Sequence, residues 1–473
     1  MPRAPANAKA VAPDLLADDF ESAAKLLNSI VEPIQQQGGL DFGGRSTNKM
    51  VYTNGVTLWM LILQRLGRGK TLEEIVSHVI AHGRDVFPDN KRVREQSLSE
   101  NSGAYARARK RLPVDFIFDF SNLICNYLGE ISEPFADGQR AFILDGTTIT
   151  LPPTPALKAA YPPAPNQHGE SVWPVARLMV ANELQSGCAL LPQIDPMYGE
   201  NNASEAVQAR RILKQLPARS IVMADSGFGI YSVAHHAVLA GHNFLFRLSG
   251  QRFKALRRRA VLIDEGPTHK TFHLLWPPSD KDRQSTPDLP ADASLDVVLH
   301  EVDIQSDKPL YLVSNLEWNG PTAATAYRRR YDVEFDIRDF KVTLDAENIR
   351  AKSVEMFKKE FYTSVVAYNL VAQFRRQAAK LAQLPPRRLR FKGVWTTLKD
   401  RLLTQPACGM AEWLNRYDDA LRRAAKKKHP NRSHPRTYPR KAHTRRQKST
   451  KFVKTQRKNT NADGDPTPLA SKK

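Results

Sequence analysis

Between residues 140 and 250, apolar runs of strand length alternate with amphipathic helical stretches, and this alternation restricts the possible fold more than any other feature. AFILDGTTITLP, WPVARLMVAN and CALLPQI read as three successive strands. SEAVQARRILKQL reads as a helix, RSIVMAD as a buried strand, IYSVAHHAVLAG as a second helix and FLFRL as a further strand. Three strands, a helix, a strand and a helix are the layout of a mixed sheet with helices packed on it, so the fold class is α/β.

Two of these runs end in an acid. Asp145 closes AFIL and precedes Gly146, and Asp225 closes IVMA and precedes the turn SGFG. Carboxylates at the C-terminal ends of buried strands can share a site at the sheet edge, although each taken singly also suits an ordinary turn or cap. A third acid stands out in YRRRYDVEFDIRDFK. At about 100° per residue, Tyr327, Arg330, Glu334, Arg338 and Lys341 fall on one helix face, while Asp332, Asp336 and Asp339 fall on the other. Glu334 is then the only acid on a basic stripe. An exposed i,i+4 pair of Arg330 with Glu334 would explain the charges but not their segregation by sign.

The rest of the chain organises around this segment. TLEEIVSHVIAHG opens with a capping box, Thr71 and Glu74, and SGAYARARKRLP reads as a second helix ending at Pro113. Its Arg107, Arg109, Lys110 and Arg111 form a basic cluster able to meet DNA or simply to face solvent. After 250 come basic stretches, the loop PPSDKDRQSTPDLPADAS and strand-like runs, LDVVLHEVDI and PLYLVSN, which together suggest a β-rich insertion. Helical stretches follow from about Thr322, at FYTSVVAYNLVAQF and around WTTLKDRLL.

The formal charge is +21, but the stretch from Arg422 to Lys473 holds 18 Lys and Arg against 2 Asp, so it carries +16 and the first 421 residues only +5. That tail has almost no aliphatic residues and several prolines, which predicts disorder and non-specific contact with a polyanion. The three cysteines, Cys125, Cys188 and Cys408, are too few and too scattered for a disulfide framework or a paired zinc site, which suits a reducing cytoplasm. No secretion signal or membrane-spanning run is read from the sequence.

These residues resemble the DDE transposases of bacterial insertion sequences, in the insertion-sequence-four group. That group carries Tyr-x2-Arg-x3-Glu-x6-Lys on the helix of its third acid, and Tyr327, Arg330, Glu334 and Lys341 match it at each spacing. DGT at Asp145 and DSGF at Asp225 match the blocks of the first two acids, and the likeness spans roughly residues 50 to 380. It implies a ribonuclease-H-like core interrupted by a β-rich domain.

The expected organisation is a helical DNA-binding region over 1–130, the first part of the core over 131–249, the insertion over 250–315 and the second part of the core over 316–385. A helical region over 386–421 and the basic tail over 422–473 complete it. The resemblance makes Asp145, Asp225 and Glu334 catalytic, as ligands of two Mg²⁺ ions with Mn²⁺ as a substitute, in keeping with the preference of these ions for hard oxygen donors.

It also implies nicking at each element end, a hairpin on that end, and attack by a 3′-hydroxyl on target DNA. Tyr327, Arg330, Arg338 and Lys341 would hold phosphates. The expected partners are duplex DNA, comprising terminal repeats and target, and a second copy of the chain in the DNA-bound complex, within the bacterial nucleoid. One departure is KPLYLVSN, where better-known relatives have a Trp that supports base flipping; Tyr311 and Trp318 are the candidates for that stacking role. Two other readings share the same residues: a DNA-binding protein without catalysis, and a nuclease that cuts but does not join.

Overall fold

The computed structural model of the chain describes residues 50–430 except 68–70, 83–86, 89–90, 167–168, 286–288, 307 and 404–409. Among the described residues the N-terminal part holds the helices α1 (Asn54–Leu66), α2 (Leu72–His82), α3 (Gly103–Arg111) and α4 (Val114–Glu130), with a single turn at Lys91–Arg94 between α2 and α3. The capping box at α2 forms as its sequence dictates, with the Thr71 N–H donating to the Glu74 carboxylate at 2.7 Å and the Glu74 N–H donating to the Thr71 hydroxyl at 3.2 Å.

Ten strands then build one sheet. They are β1 (Ala141–Thr150), β2 (Pro163–Asn166), β3 (Gly169–Glu183), β4 (Gln193–Pro196), β5 (Ile221–Ala224), β6 (Asn243–Arg247), β7 (Val261–Gly266), β8 (His269–Trp276), β9 (Leu295–Val302) and β10 (Leu310–Ser314). Their order is β2-β3-β1-β5-β6-β10-β9-β8-β7, with β4 paired to β3. β1 runs antiparallel to β3 and parallel to β5, and β5 runs parallel to β6. A mixed α/β fold with a large mixed sheet of this kind fits a ribonuclease-H-like fold.

Helices α5 (Glu205–Leu213), α6 (Tyr231–Leu239) and α7 (Gly250–Arg257) fall within the strand-bearing stretch. α8 (Gly320–Arg328), α9 (Asp332–Arg338), α10 (Val354–Leu381), α11 (Phe391–Leu398) and α12 (Met410–Ala425) follow β10.

Strand parity explains the layers. Ala141, Ile143, Ile221, Met223, Leu245 and Leu312 point to one face, where they pack with Ala323, Tyr327 and Val333 of the α8–α9 segment. Phe142, Leu144, Val222, Ala224, Phe244 and Phe246 point to the other, against α5 and α6. Every one of these strand residues is fully buried, which is why the runs read as continuously apolar rather than alternating.

The strand-rich segment 250–315 lies between β6 and the helix of the third acid and extends the core sheet: β10 pairs directly with β6, and β9, β8 and β7 continue it. The N-terminal helices pack on the later ones, one apolar cluster joining Leu58, Ile62, Ile117 and Ile124 to Phe361, Val365 and Leu398. The basic tail does not start at 422, because α12 runs to Ala425 and Leu389 bridges to Lys428. Residues 431–473, where disorder was expected, lie outside the described residues. CALLPQI contributes only the short β4 and an isolated bridge between Asn182 and Ala189. No helix among the described residues is long and apolar enough to cross a membrane.

The continued sheet buries His300 completely, with its Nδ1 3.2 Å from the Thr271 hydroxyl. Burial holds its pKa down to about 4, with His269 lowering it further and Asp264 opposing. The folded chain therefore keeps His300 neutral where the unfolded chain takes up a proton. Its contribution is complete above the ordinary value near 6.5 and is lost as pH falls toward 4, by at most about 3 kcal/mol. His300→Gln should flatten this part of the acid limb in denaturant titrations at pH 7, 5.5 and 4.5; an unchanged limb would assign the loss to other groups.

Candidate active site at the strand ends

The first two acids meet because of register. β1 and β5 pair Ala141 with Ile221 and Ile143 with Met223, and the same offset continues to Asp145 and Asp225. Both carboxylates thus extend from the face covered by α8 and α9, just past the end of parallel pairing. Asp145 accepts from the Gly146 N–H at 2.9 Å, and Asp225 accepts from the Gly227 N–H at 2.8 Å, so each acid fixes its own turn. A Cβ at Gly146 would meet only the movable carboxylate end of exposed Glu205, on the sheet face opposite to the Asp145 side chain.

The third acid arrives on an irregular helix. α8 ends at Arg328, a 3-10 turn spans Arg329–Tyr331, α9 covers Asp332–Arg338 and a π turn covers Asp339–Thr343. Arg330 lies in the tight turn and is 7% exposed. Its guanidinium stands 3.3 Å from Asp145, 3.7 Å from Asp225 and 3.1 Å from Glu334. One cation therefore gathers all three acids. Its Nε is buried without a hydrogen-bond partner.

Burial pushes the Asp145 carboxyl up to about 6, and Asp225 and Glu334 add to the rise against the opposing pull of Arg330. Three hard oxygen donors converging on one buried cation suit a divalent metal by donor type. The expected ready-made metal cluster is a different matter. Among the described residues no three Asp, Glu, His or Cys side chains are close enough to hold an ion, and the Arg330 guanidinium occupies the space between the acids.

The other residues singled out from the sequence separate into two groups. Lys341 reaches β1, donating to the Thr148 carbonyl at 2.8 Å and to the Thr147 hydroxyl at 3.4 Å, three and two residues beyond Asp145. Arg338 is exposed and lies over the Phe335 ring. Arg107, Lys110 and Arg111 are exposed on α3, and Arg107 and Arg111 line an open pocket with Arg92 and Asn101.

Four expected contacts fail. Tyr327 is 2% exposed in the apolar layer beneath the sheet, so its hydroxyl offers no surface to a phosphate. Arg109 is buried in an ion pair with Glu360 at 2.7 Å. Tyr311 stacks on Phe253 with ring centroids 4.3 Å apart, and so is already engaged. Trp318 follows β10, which runs antiparallel to β6, and therefore sits at the opposite end of the sheet from the acids, edge-on to Phe135.

The acids on the far side of the Glu334 helix form a network that the wheel did not reveal. Arg387 clamps Asp336 with both terminal nitrogens at 2.8 Å and approaches Asp332 at 3.5 Å. That pairing seats α9 against the end of β3, where the Glu183 and Leu184 carbonyls accept from the same guanidinium.

Residues 136–370 match the family model of the transposase DDE domain. The match contains all three acids and supports a DDE transposase, a family that generally uses divalent metal ions. No curated protein matches the chain. Among solved structures, a Ciona intestinalis endonuclease V in complex with a 23mer DNA containing an inosine followed by a ribo-adenosine is 13% identical. It covers 45% of this chain and 88% of its own at a TM-score of 0.19, too low for anything to follow.

Proposed function

We propose that this chain is a DNA transposase that cuts at the ends of an insertion sequence and joins the freed 3′-hydroxyl ends to target DNA, with Asp145, Asp225 and Glu334 as its catalytic carboxylates. The observation that carries this reading is the convergence of those three acids on the single guanidinium of Arg330. Acids from two adjacent strands and one helix have no structural reason to face one another unless a cation is to be held there. The DDE-domain match across the same residues supports it.

Divalent ions bound by these acids, Mg²⁺ or Mn²⁺ in its place, would activate the attacking oxygen and stabilise charge on the leaving one. Asp145, half-buried within β1, Asp225 just past β5 and Glu334 on α9 would share the holding of those ions. Arg330 holds the acids together while the site is free, and becomes available to a backbone phosphate once another cation satisfies them. Lys341 fixes the strand just past Asp145. Attack by water on phosphorus breaks the bond to the 3′ oxygen and leaves a 3′-hydroxyl; that hydroxyl then attacks a target phosphate and displaces the target's own 3′ oxygen.

Exposed Arg107, Lys110, Arg111 and Arg338 supply backbone contacts that position DNA without reading its sequence. A complex that cuts two element ends together holds at least two copies of the chain, at work on chromosomal DNA. The test is strand transfer with labelled end-bearing DNA and a supercoiled target in Mg²⁺. Joined products support the transposase, cutting without joining indicates a nuclease, and binding without cutting indicates a DNA-binding protein that has lost its chemistry.

A further inference from the structure

The register that aligns the first two acids continues one strand further. β5 and β6 pair Met223 with Leu245 and Ala224 with Phe246, so the next step along both strands sets Asp225 beside Arg247. The offset between β1 and β5 puts Asp145 at the same level. One row across three adjacent strands therefore reads Asp145, Asp225, Arg247. Neighbouring strands lie about 4.8 Å apart, which places Arg247 one strand from Asp225 and two from Asp145.

Its side of the sheet is fixed as well. Arg247 pairs directly with Leu312 of β10, and Leu312 belongs to the apolar layer of Ile143, Leu245 and Tyr327, on the face from which both acids extend. Burial raises the pKa of the Tyr327 hydroxyl, and Arg330 and Arg247 both oppose that rise, as cations on one side of the sheet. Phe244, Leu245 and Phe246 are fully buried, whereas Arg247 after them is exposed.

A cation that closes a buried run often does no more than meet solvent, but the neighbours of this one set it apart. Arg330 is engaged with the three acids, and Lys341 with Thr147 and Thr148. Arg252 donates to the Ser226 carbonyl at 3.2 Å and to the Gly229 carbonyl at 2.7 Å, bracing the turn that follows Asp225. Among the described residues Arg247 forms no ion pair and its side chain no hydrogen bond, and Asp225, one strand away, is held by Arg330 at 3.7 Å instead.

We propose that Arg247 is a phosphate-holding residue of this site, gripping the DNA phosphate next to the one being cut. The proposal rests on the reading of the three acids as the centre that cuts DNA. The reacting phosphate belongs with the ions held among those acids, and Arg247 lies one strand to the side, on the flank away from Asp145. An arginine fork matches two phosphate oxygens at once, which suits a group that must fix a backbone without reading its bases.

The test uses the full chain and end-bearing duplex in which single phosphates beside the cut are replaced, one at a time, by uncharged methylphosphonates. Binding is measured in excess chelator over a salt series, and single-turnover cutting in Mg²⁺. For the unaltered chain, one position next to the cut should lose roughly tenfold in affinity, as expected for a charge-assisted bond, and cutting should slow there. Arg247→Gln should show that loss on unmodified DNA, no further loss at that position and the ordinary loss at the others. Its slope of log affinity against log salt should become shallower by about one, and Arg247→Lys should restore the slope. Arg259→Gln removes the same charge in the turn before β7, at the opposite end of the sheet, and should change neither quantity. Circular dichroism verifies that the variants fold. Equal sensitivity of Arg247→Gln and the unaltered chain to every methylphosphonate overturns the proposal, as does an unchanged salt slope. A chain that binds with the expected pattern but never cuts keeps Arg247 as a phosphate contact and removes instead the reading of the acids as a cutting centre.

Discussion

Glu334→Gln is expected to lower metal-dependent DNA cleavage by on the order of 10³-fold or more while leaving the fold and DNA affinity nearly unchanged. Its side chain is 58% exposed on the outside of α9, and its contact with Arg330 is an i,i+4 pair of the kind that contributes only tenths of a kcal/mol to stability. Arg330 retains Asp145 and Asp225 after the change, so no buried charge is stranded. Affinity for DNA comes mainly from exposed lysines and arginines and should stay within a few-fold. The loss in rate is large because groups that act as a unit fail as a unit. Single-turnover cleavage beside a filter-binding titration measures both quantities; a variant cutting within tenfold of the original would remove Glu334 from the site.

Arg109→Met should destabilise the fold by about 3–5 kcal/mol, the usual consequence of breaking a buried pair and leaving one charge unmatched. Arg109 and Glu360 are 8% and 9% exposed at 2.7 Å, and they tie α3 to α10. The neighbouring Lys359 ammonium, fully buried, donates to the Arg109 and Lys110 carbonyls at 3.1 Å and completes the junction. The double change Arg109→Met with Glu360→Leu should recover most of the loss, because an apolar pair of similar volume can replace a buried ion pair at little cost. Urea denaturation gives the values. Unchanged stability with weakened DNA binding would instead return Arg109 to the DNA-contacting surface, where Arg107→Ala and Lys110→Ala are expected to act.

The contrast between Arg107 and Arg109 shows where sequence reasoning stops. Both lie in one basic run on one short helix, and nothing local distinguishes the exposed arginine from the buried one. The partner that decides it, Glu360, is 251 residues away. The strands were legible because their apolar runs are continuous and end abruptly at Asp145 and Asp225. Their register was not, since it depends on which strand lies next to which. The same limit applies to β7, β8 and β9: their pattern reveals strands but not that β10 carries them onto β6.

For the third acid, the helical wheel correctly put Arg330 and Glu334 on one face. It assumed an unbroken α-helix, however, and the chain passes through a 3-10 turn at Arg329–Tyr331 and a π turn at Asp339–Thr343. Such turns advance the phase by more or less than 100° per residue. Tyr327 therefore ends in the core while Glu334 remains outside. The role of Arg330 as the cation among three carboxylates was likewise invisible, because only the assembled sheet brings Asp145, which lies within β1 and not at its end, and Asp225 to it.

The most direct measurement is cleavage of end-bearing duplex DNA by the intact chain and by Asp145→Asn, Asp225→Asn, Glu334→Gln and the Asp145→Asn/Glu334→Gln double variant, in Mg²⁺, Mn²⁺ and excess chelator. The three-acid account predicts cutting only by the unaltered chain and only with a divalent ion, with the double variant no worse than either single one. Cutting that survives the chelator, or an Asp145→Asn or Asp225→Asn variant as fast as the unaltered chain, would contradict it.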